Sequence, residues 1–146
     1  MSPGTRLYLL DTDHVSLLDR GGPEGARIRA RLRSLPGDDV ATTIVSYEEQ
    51  IRGWMARIAR AANFRDQITD YAQLHQQLRN YCAITVLDFD GQAVSVLARL
   101  RALRIRIGTM DLKIASIALA HDAVLLTRNV TDFSKVPDLK VDDWSA

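Results

Sequence analysis

The sequence predicts an α/β fold, a three-layer α/β/α arrangement with a central parallel sheet of four to five strands. Three observations carry that expectation. Short apolar runs, each too brief for a helix, recur at residues 8–10, 40–44, 83–87 and 124–127. Segments of helical periodicity separate them, and strands that alternate with helices pair in parallel because each crossover covers a face of the sheet. Polar residues follow the ends of two runs, Asp11 after the first and Asn129 after the fourth, where α/β folds place their ligands.

Tyr8-Leu9-Leu10 stops at Asp11 and reads as a buried strand with a carboxylate at its C-terminal end. Residues 11–20 turn into a short helix that Gly21-Gly22-Pro23 breaks. Residues 24–35 are helical, with Ile28, Leu32 and Leu35 on one side, and 36–39 form a turn. The β-branched run 40–44 is the second strand, followed by helices over 45–61 and 63–82, a helical hairpin at about 45–82. A third strand over 83–87, helices over 90–103 and 109–121, a fourth strand over 124–127 and a fifth over 139–141 complete the pattern. Right-handed crossovers put all the strand C-termini on one edge, and the ligand site is expected outside it.

With 146 residues the chain is expected to be one domain over 1–146. No apolar run approaches the ~18 residues of a membrane span, and residues 1–6 are too short and polar for a signal peptide, so a cytoplasmic protein is expected. Cys82 is the only cysteine, which excludes an internal disulfide and a thiolate zinc site, and it is expected to be buried and inert. The net charge of +1 advertises no polyanionic partner. Of the 19 basic residues, however, all but Lys113, Lys135 and Lys140 are arginine, whose planar fork suits phosphate as well as surface ion pairs.

The acids carry the chemistry. Asp11 closes the first strand, and Asp13 is the better candidate to cap the helix that follows, which leaves Asp11 free for another purpose. Asp111 falls in the first turn of its helix after Thr109, on a face shared with Ala115 and Ala118 that lets the helix lie close on the sheet. In the 45–61 helix, Tyr47, Ile51, Trp54, Met55 and Ile58 form one stripe, while Glu49 shares the opposite face with Val45, Gly53 and Ala56. That small face is expected to rest on the sheet, with Glu49 at its upper end. Asn129 and Asp132 offer oxygens just past the fourth strand. Acids gathered in this way repel one another, so a fold that clusters them usually neutralises a cation. With only hard oxygen donors the ion is Mg²⁺, or Mn²⁺ in its place, and its natural co-ligand is a phosphodiester.

These residues resemble the PIN-domain nucleases, and most closely the VapC-type toxins of bacterial toxin–antitoxin pairs. The similarity runs through Leu9-Leu10-Asp11-Thr12-Asp13 to Ser16, Glu49-Gln50-Ile51-Arg52-Gly53, and Gly108-Thr109-Met110-Asp111-Leu112-Lys113-Ile114-Ala115. It continues through Leu125-Leu126-Thr127-Arg128-Asn129 to Asp132-Phe133, and Val141-Asp142-Asp143-Trp144. The resemblance implies a metal held by acids and endonucleolytic cleavage of RNA that leaves a 5′-phosphate and a 3′-hydroxyl. It matches Asp11, Glu49 and Asp111 to the family's three most regular acids. The fourth acidic position falls on Asn129, with Asp132 three residues later, and Asp13 stands where such toxins often have asparagine.

Ser16 and Thr127 are candidates to orient water or a ligand, and Arg52 and Arg128 to contact phosphate. On the hairpin, Phe64, Ile68, Tyr71, Leu74, Leu78 and Tyr81 recur in steps of three and four, beside Ile51, Trp54 and Ile58. This is more apolar surface than one hairpin consumes. It suits either an ordinary core or a groove for a partner, and the resemblance favours a cognate antitoxin and a homodimer. Two rival readings remain at this level. Asp11-Thr12-Asp13 also opens haloacid-dehalogenase-like phosphatases, with Asp11 as nucleophile, although Lys113 and Lys135 are badly placed for that chemistry. Asn129 in an acidic position would also suit a non-catalytic nucleic-acid or antitoxin binder.

Overall fold

The computed structural model describes residues 6–36 and 39–146. The middle of the expected turn at 36–39 therefore lies outside the described residues. The elements follow in the order β1 (Tyr8–Leu10), α1 (Thr12–Arg20), α2 (Pro23–Leu32), β2 (Val40–Thr43), α3 (Ile44–Arg60) and α4 (Gln67–Cys82). After them come β3 (Thr85–Leu87), α5 (Gly91–Ala102), α6 (Thr109–Ala120), β4 (Val124–Leu126), α7 (Val130–Phe133) and β5 (Lys140–Asp142). Five strands form one sheet in the order β3-β2-β1-β4-β5, and every neighbouring pair is parallel. The expected three-layer α/β/α fold is what forms.

Alternation along the strands assigns the two faces. Leu9 and Leu125 enter a core with Leu100 of α5 and Ile114, Ile117 and Ala118 of α6. Leu10, Val124 and Leu126 point the other way, against Val15 and Leu17 of α1, Ile28 of α2, Tyr81 of α4 and Trp144. The α5–α6 connection between β3 and β4 crosses over β2 and β1, so the chain leaves β1 toward β2 on one side and finds β4 on the other. This reversal makes the C-terminal end of β1 the switch point of the sheet, where a crevice opens between diverging connections.

One contact sets how α1 meets α2. The glycine at the start of α2, Gly25, lies so close to α1 that a Cβ there would sit 2.3 Å from the Leu17 carbonyl oxygen. Gly25→Ala is therefore expected to cost roughly 1–3 kcal/mol of stability, because backbone and not a flexible side chain must yield. Urea unfolding checks this, and an unchanged midpoint would mean that the two helices separate freely.

Three expectations change. The second hairpin helix begins at Gln67, not at 63, because Asn63 turns its side-chain oxygen onto the Asp66 amide and Phe64 falls in the preceding turn. The segment after Asn129, to which the sequence pattern assigns no element, winds into the short helix α7. Cys82 is exposed at the end of α4, not buried. Among the described residues no helix is long and apolar enough to cross a membrane.

Candidate active site

The site begins where β1 runs out. Asp11 has extended backbone angles while Thr12 is already helical, so Asp11 caps α1 and accepts the Thr12 amide at 2.8 Å. Asp13, expected to be the cap, sits inside the first turn and has other partners. Its Oδ1 accepts from His14 Nδ1 at 2.8 Å and its Oδ2 accepts from the Arg128 amide at 3.0 Å. His14 is fully buried, and its Nε2 accepts the Trp144 amide at 3.2 Å, which leaves the proton on Nδ1 and aims it at Asp13.

Thr127, at the end of the adjoining β4, joins the two acids. Its hydroxyl donates to Asp11 Oδ2 at 2.8 Å and lies 3.0 Å from Asp13 Oδ2. One hydrogen cannot serve both, so the carboxylates compete for it. Thr127 is wholly buried, and its hydroxyl is engaged with these two acids.

Glu49 and Asp111 come from α3 and α6. Glu49 accepts the Thr12 hydroxyl at 2.7 Å, a bond that ties α3 to the start of α1. A cleft of about 370 Å³ brings Asp11, Glu49, Asp111 and Asn129 together with Asp13, Ser16, Arg20 and Arg128. The small face of α3 does not lie on the sheet along its length. Val45 is buried, but Gly53 and Ala56 are exposed, so only the first turn of α3 is covered on that face.

Two other candidates stay outside the cleft. Arg52 turns along its own helix to Glu48 and leaves 70% of its side chain in solvent. Asp132 is held by the Asn129 amide at 3.1 Å and by Lys135 Nζ at 3.2 Å. Those two donors hold Asp132 below the usual carboxylate range. Asn129 gives one of its side-chain amide hydrogens to Asp132 and also lines the cleft. Sequence reasoning missed Thr12, His14 and Arg20 as parts of the site. Thr12, Ser16 and Arg20 recur every four residues, so one face of α1 was legible as cleft lining. Nothing in the sequence linked His14 to Trp144.

The electrostatics are those of uncompensated acids. Burial raises Asp11 to about 7, with help from the charge on Asp13 and, more weakly, Asp111, against the opposing bonds from Thr127 and Thr12. Asp111 is raised too, first by burial and then by Glu49, Asp132 and Asp13. Among the described residues no lysine or arginine forms an ion pair with Asp11, Glu49 or Asp111.

A family model described as the PIN domain matches residues 8–139, nearly the whole chain. The chain belongs to the PIN-domain family. Its PIN fold resembles that of VapBC from Salmonella typhimurium bound to DNA, with a TM-score of 0.74, 24% identity, and coverage of 95% of this chain and 98% of that one. VapBC-1 from nontypeable Haemophilus influenzae gives a TM-score of 0.69 at 27% identity, with 96% and 99% covered. In sequence, this PIN domain is 28% identical over 141 residues to Ribonuclease VapC1 of Haemophilus influenzae strain R2866, across 95% of this chain and 98% of the relative.

The donor set of the PIN domain suits a hard divalent ion. Every donor at the cleft that could meet an ion is a carboxylate, amide or hydroxyl oxygen, with no thiolate among them. Among the described residues no three acids, histidines or cysteines stand close enough together to hold an ion by themselves. Mg²⁺ does not need such a group, since it takes one or two carboxylates directly and keeps several waters.

Proposed function

We propose that this PIN domain is a Mg²⁺-dependent endoribonuclease, the toxin of a toxin–antitoxin pair, acting in the cytoplasm. The observation that carries the reading is the buried Asp11 carboxylate, close to Asp111 and Asp13 at the switch point and in no ion pair with a lysine or arginine among the described residues. A site so arranged gains by holding a divalent cation together with a phosphodiester. The similarity to Haemophilus proteins named Ribonuclease VapC1, over nearly their full length, supports RNA as the substrate.

In this reading Asp11 and Asp111 hold the ion, Glu49 completes its shell, and Asn129 replaces a fourth acid as a neutral oxygen donor. Asp132, engaged by Lys135, supports Asn129 from outside. Mn²⁺ can substitute, since it accepts the same oxygens. When bound, the ion supplies the acidity that makes a water nucleophilic at neutral pH and offsets charge developing on the phosphate. Thr127 holds Asp11 in register, and Thr12 does the same for Glu49. Ser16 and Arg128, both on the cleft wall, meet the substrate phosphate in this reading. Cleavage of the phosphodiester leaves a 5′-phosphate and a 3′-hydroxyl.

The solved structures with this fold include toxin–antitoxin complexes, which supports a protein antitoxin as partner here. The exposed hairpin side chains Phe64 and Tyr71, continued by the half-buried Ile51, Trp54 and Ile58, are the surface for it or for a second protomer. Incubation of the purified protein with total RNA in Mg²⁺, in Mn²⁺ and in EDTA tests the activity. Discrete cuts with the stated ends, abolished by EDTA, are expected. Turnover of a phosphomonoester with no RNA cleavage would restore the phosphatase reading, and metal-independent RNA binding alone would leave a non-catalytic binder.

A further inference from the structure

Beside the acid cleft runs a second, larger groove of about 750 Å³ between α1, α3 and α4. The two cavities share Thr12, Ser16, Arg20 and Glu49, so the groove is a continuation of the site. We infer that it is the track for the single-stranded RNA flanking the scissile phosphate, with Arg20, Arg57 and Arg60 meeting the backbone and Trp54 offering a stacking surface. The inference rests on the ribonuclease reading and adds to it the path and the residues that take the flank.

Charge is the first argument. Three guanidinium groups line the groove against two carboxylates, Glu49 and Asp19. Glu49 belongs to the acid cleft, and Asp19 already accepts Gln77 Nε2 at 3.1 Å and Asn80 Nδ2 at 2.9 Å. Among the described residues Arg20 and Arg60 have no ion-pair partner, and Arg57 approaches Asp70 only to 3.7 Å with 62% of its side chain exposed. The groove thus offers a cationic path to an acidic centre. A polyanion that must bring one phosphate to those acids needs such a path.

Chemistry and rigidity are the second. The Arg57 guanidinium lies 5.2 Å from the Trp54 ring centre, a stack that a base can extend, and Trp54 Nε1 donates to Gln77 Oε1 at 3.2 Å. Gln50 receives the Tyr81 hydroxyl and gives its Nε2 hydrogen to Ser16 Oγ at 3.0 Å, which fixes α1, α3 and α4 against one another. Ser16 Oγ lines both cavities and accepts in that bond, so its own hydrogen remains available to donate. At Gly53 a Cβ would meet nothing within 4 Å, so the α3 wall is open there. Of the apolar side chains suited to a protein partner, Phe64, Ile68 and Tyr71 are not among those that line the groove, and Trp54 stands where the two surfaces meet. An indole within a polar cationic groove favours an unstacked strand over a duplex, whose bases are not available for stacking.

The test uses the full chain and two labelled RNA oligonucleotides around one mapped cut, one just spanning it and one extended on both sides. Arg57→Gln/Arg60→Gln should lower kcat/KM on the extended RNA about tenfold or more, mainly through KM, and leave the short RNA nearly as before. The slope of log Kd against log salt for the extended RNA, measured in EDTA, should fall by about 1.4, since each lost phosphate contact on a single strand removes about 0.7. Arg99→Gln/Arg101→Gln on α5 removes equal charge from the other face of the sheet and should change neither. Equal losses on both substrates, an unchanged slope, or the same effect from the α5 variant would overturn the inference. If wild type cuts neither RNA, the ribonuclease reading fails, while the binding slope still decides whether the groove takes a single strand.

Discussion

Asp11→Asn should abolish RNA cleavage, by a hundredfold to a thousandfold or about that, the scale lost when one preorganised charge partner is removed from a reaction centre. The same substitution should leave the metal-free protein as stable as before or more so. Asparagine keeps an oxygen for the Thr12 amide, and its new N–H can donate to Thr127 Oγ1, which then turns its own hydrogen to Asp13. What disappears is a buried negative charge beside Asp13 and Asp111. Asp111→Asn should behave alike, with a smaller stability gain, because Asp111 is only half-buried. Activity assays and thermal melts in EDTA check both halves. If either variant unfolds the protein while Glu49→Gln keeps full activity, Asp11 and Asp111 are structural and the site lies elsewhere.

The stability of the metal-free protein should fall as pH rises from about 4 to above 7. Asp11 ionises at 3.8 in the unfolded chain and near 7 in the folded one, so between those values the folded state holds the extra proton. Its contribution is fully present below the lower value and is lost as pH climbs through the upper one. The displacement corresponds to a few kcal/mol at most. Asp132 shifts in the opposite sense and acts the other way, so the informative quantity is wild type minus Asp11→Asn, in which its effect cancels. Saturating Mg²⁺ should reverse the trend in wild type, by about 2.7 kcal/mol at a hundredfold excess over Kd, and do little for the variant. A pH profile identical in the two proteins would show that Asp11 is ionised and solvated throughout.

Much of this was written in local sequence. The alternation of short apolar runs with helices gave the sheet, and the acids after β1 and at the starts of α3 and α6 fell at the edge that parallel topology dictates. Other features depend on contacts between residues far apart in the chain, which no window of sequence contains. The identity of the α1 cap turned on a Thr127 hydroxyl 116 positions away, which competes for Asp13. Glu49 lies in the cleft although most of the small face of α3 is exposed and does not rest on the sheet. Arg52 looked like a phosphate contact until its i,i+4 partner Glu48 claimed it. Periodicity can say which residues share a helix face, but what that face meets is decided by the neighbouring elements.

The buried imidazole between Asp13 and Trp144 has a mechanical meaning. Residues 143–145 wrap back over the start of α1, with Trp144 against Tyr8 at 4.8 Å between ring centres and the Ser145 carbonyl accepting Arg27 Nε at 2.7 Å. The polypeptide there works as a clasp, joined through one ring to an aspartate that lines the acid cleft. Whatever tugs on that clasp, a fused sequence, a protease or a neighbouring molecule, acts at a distance on the alignment of the acids.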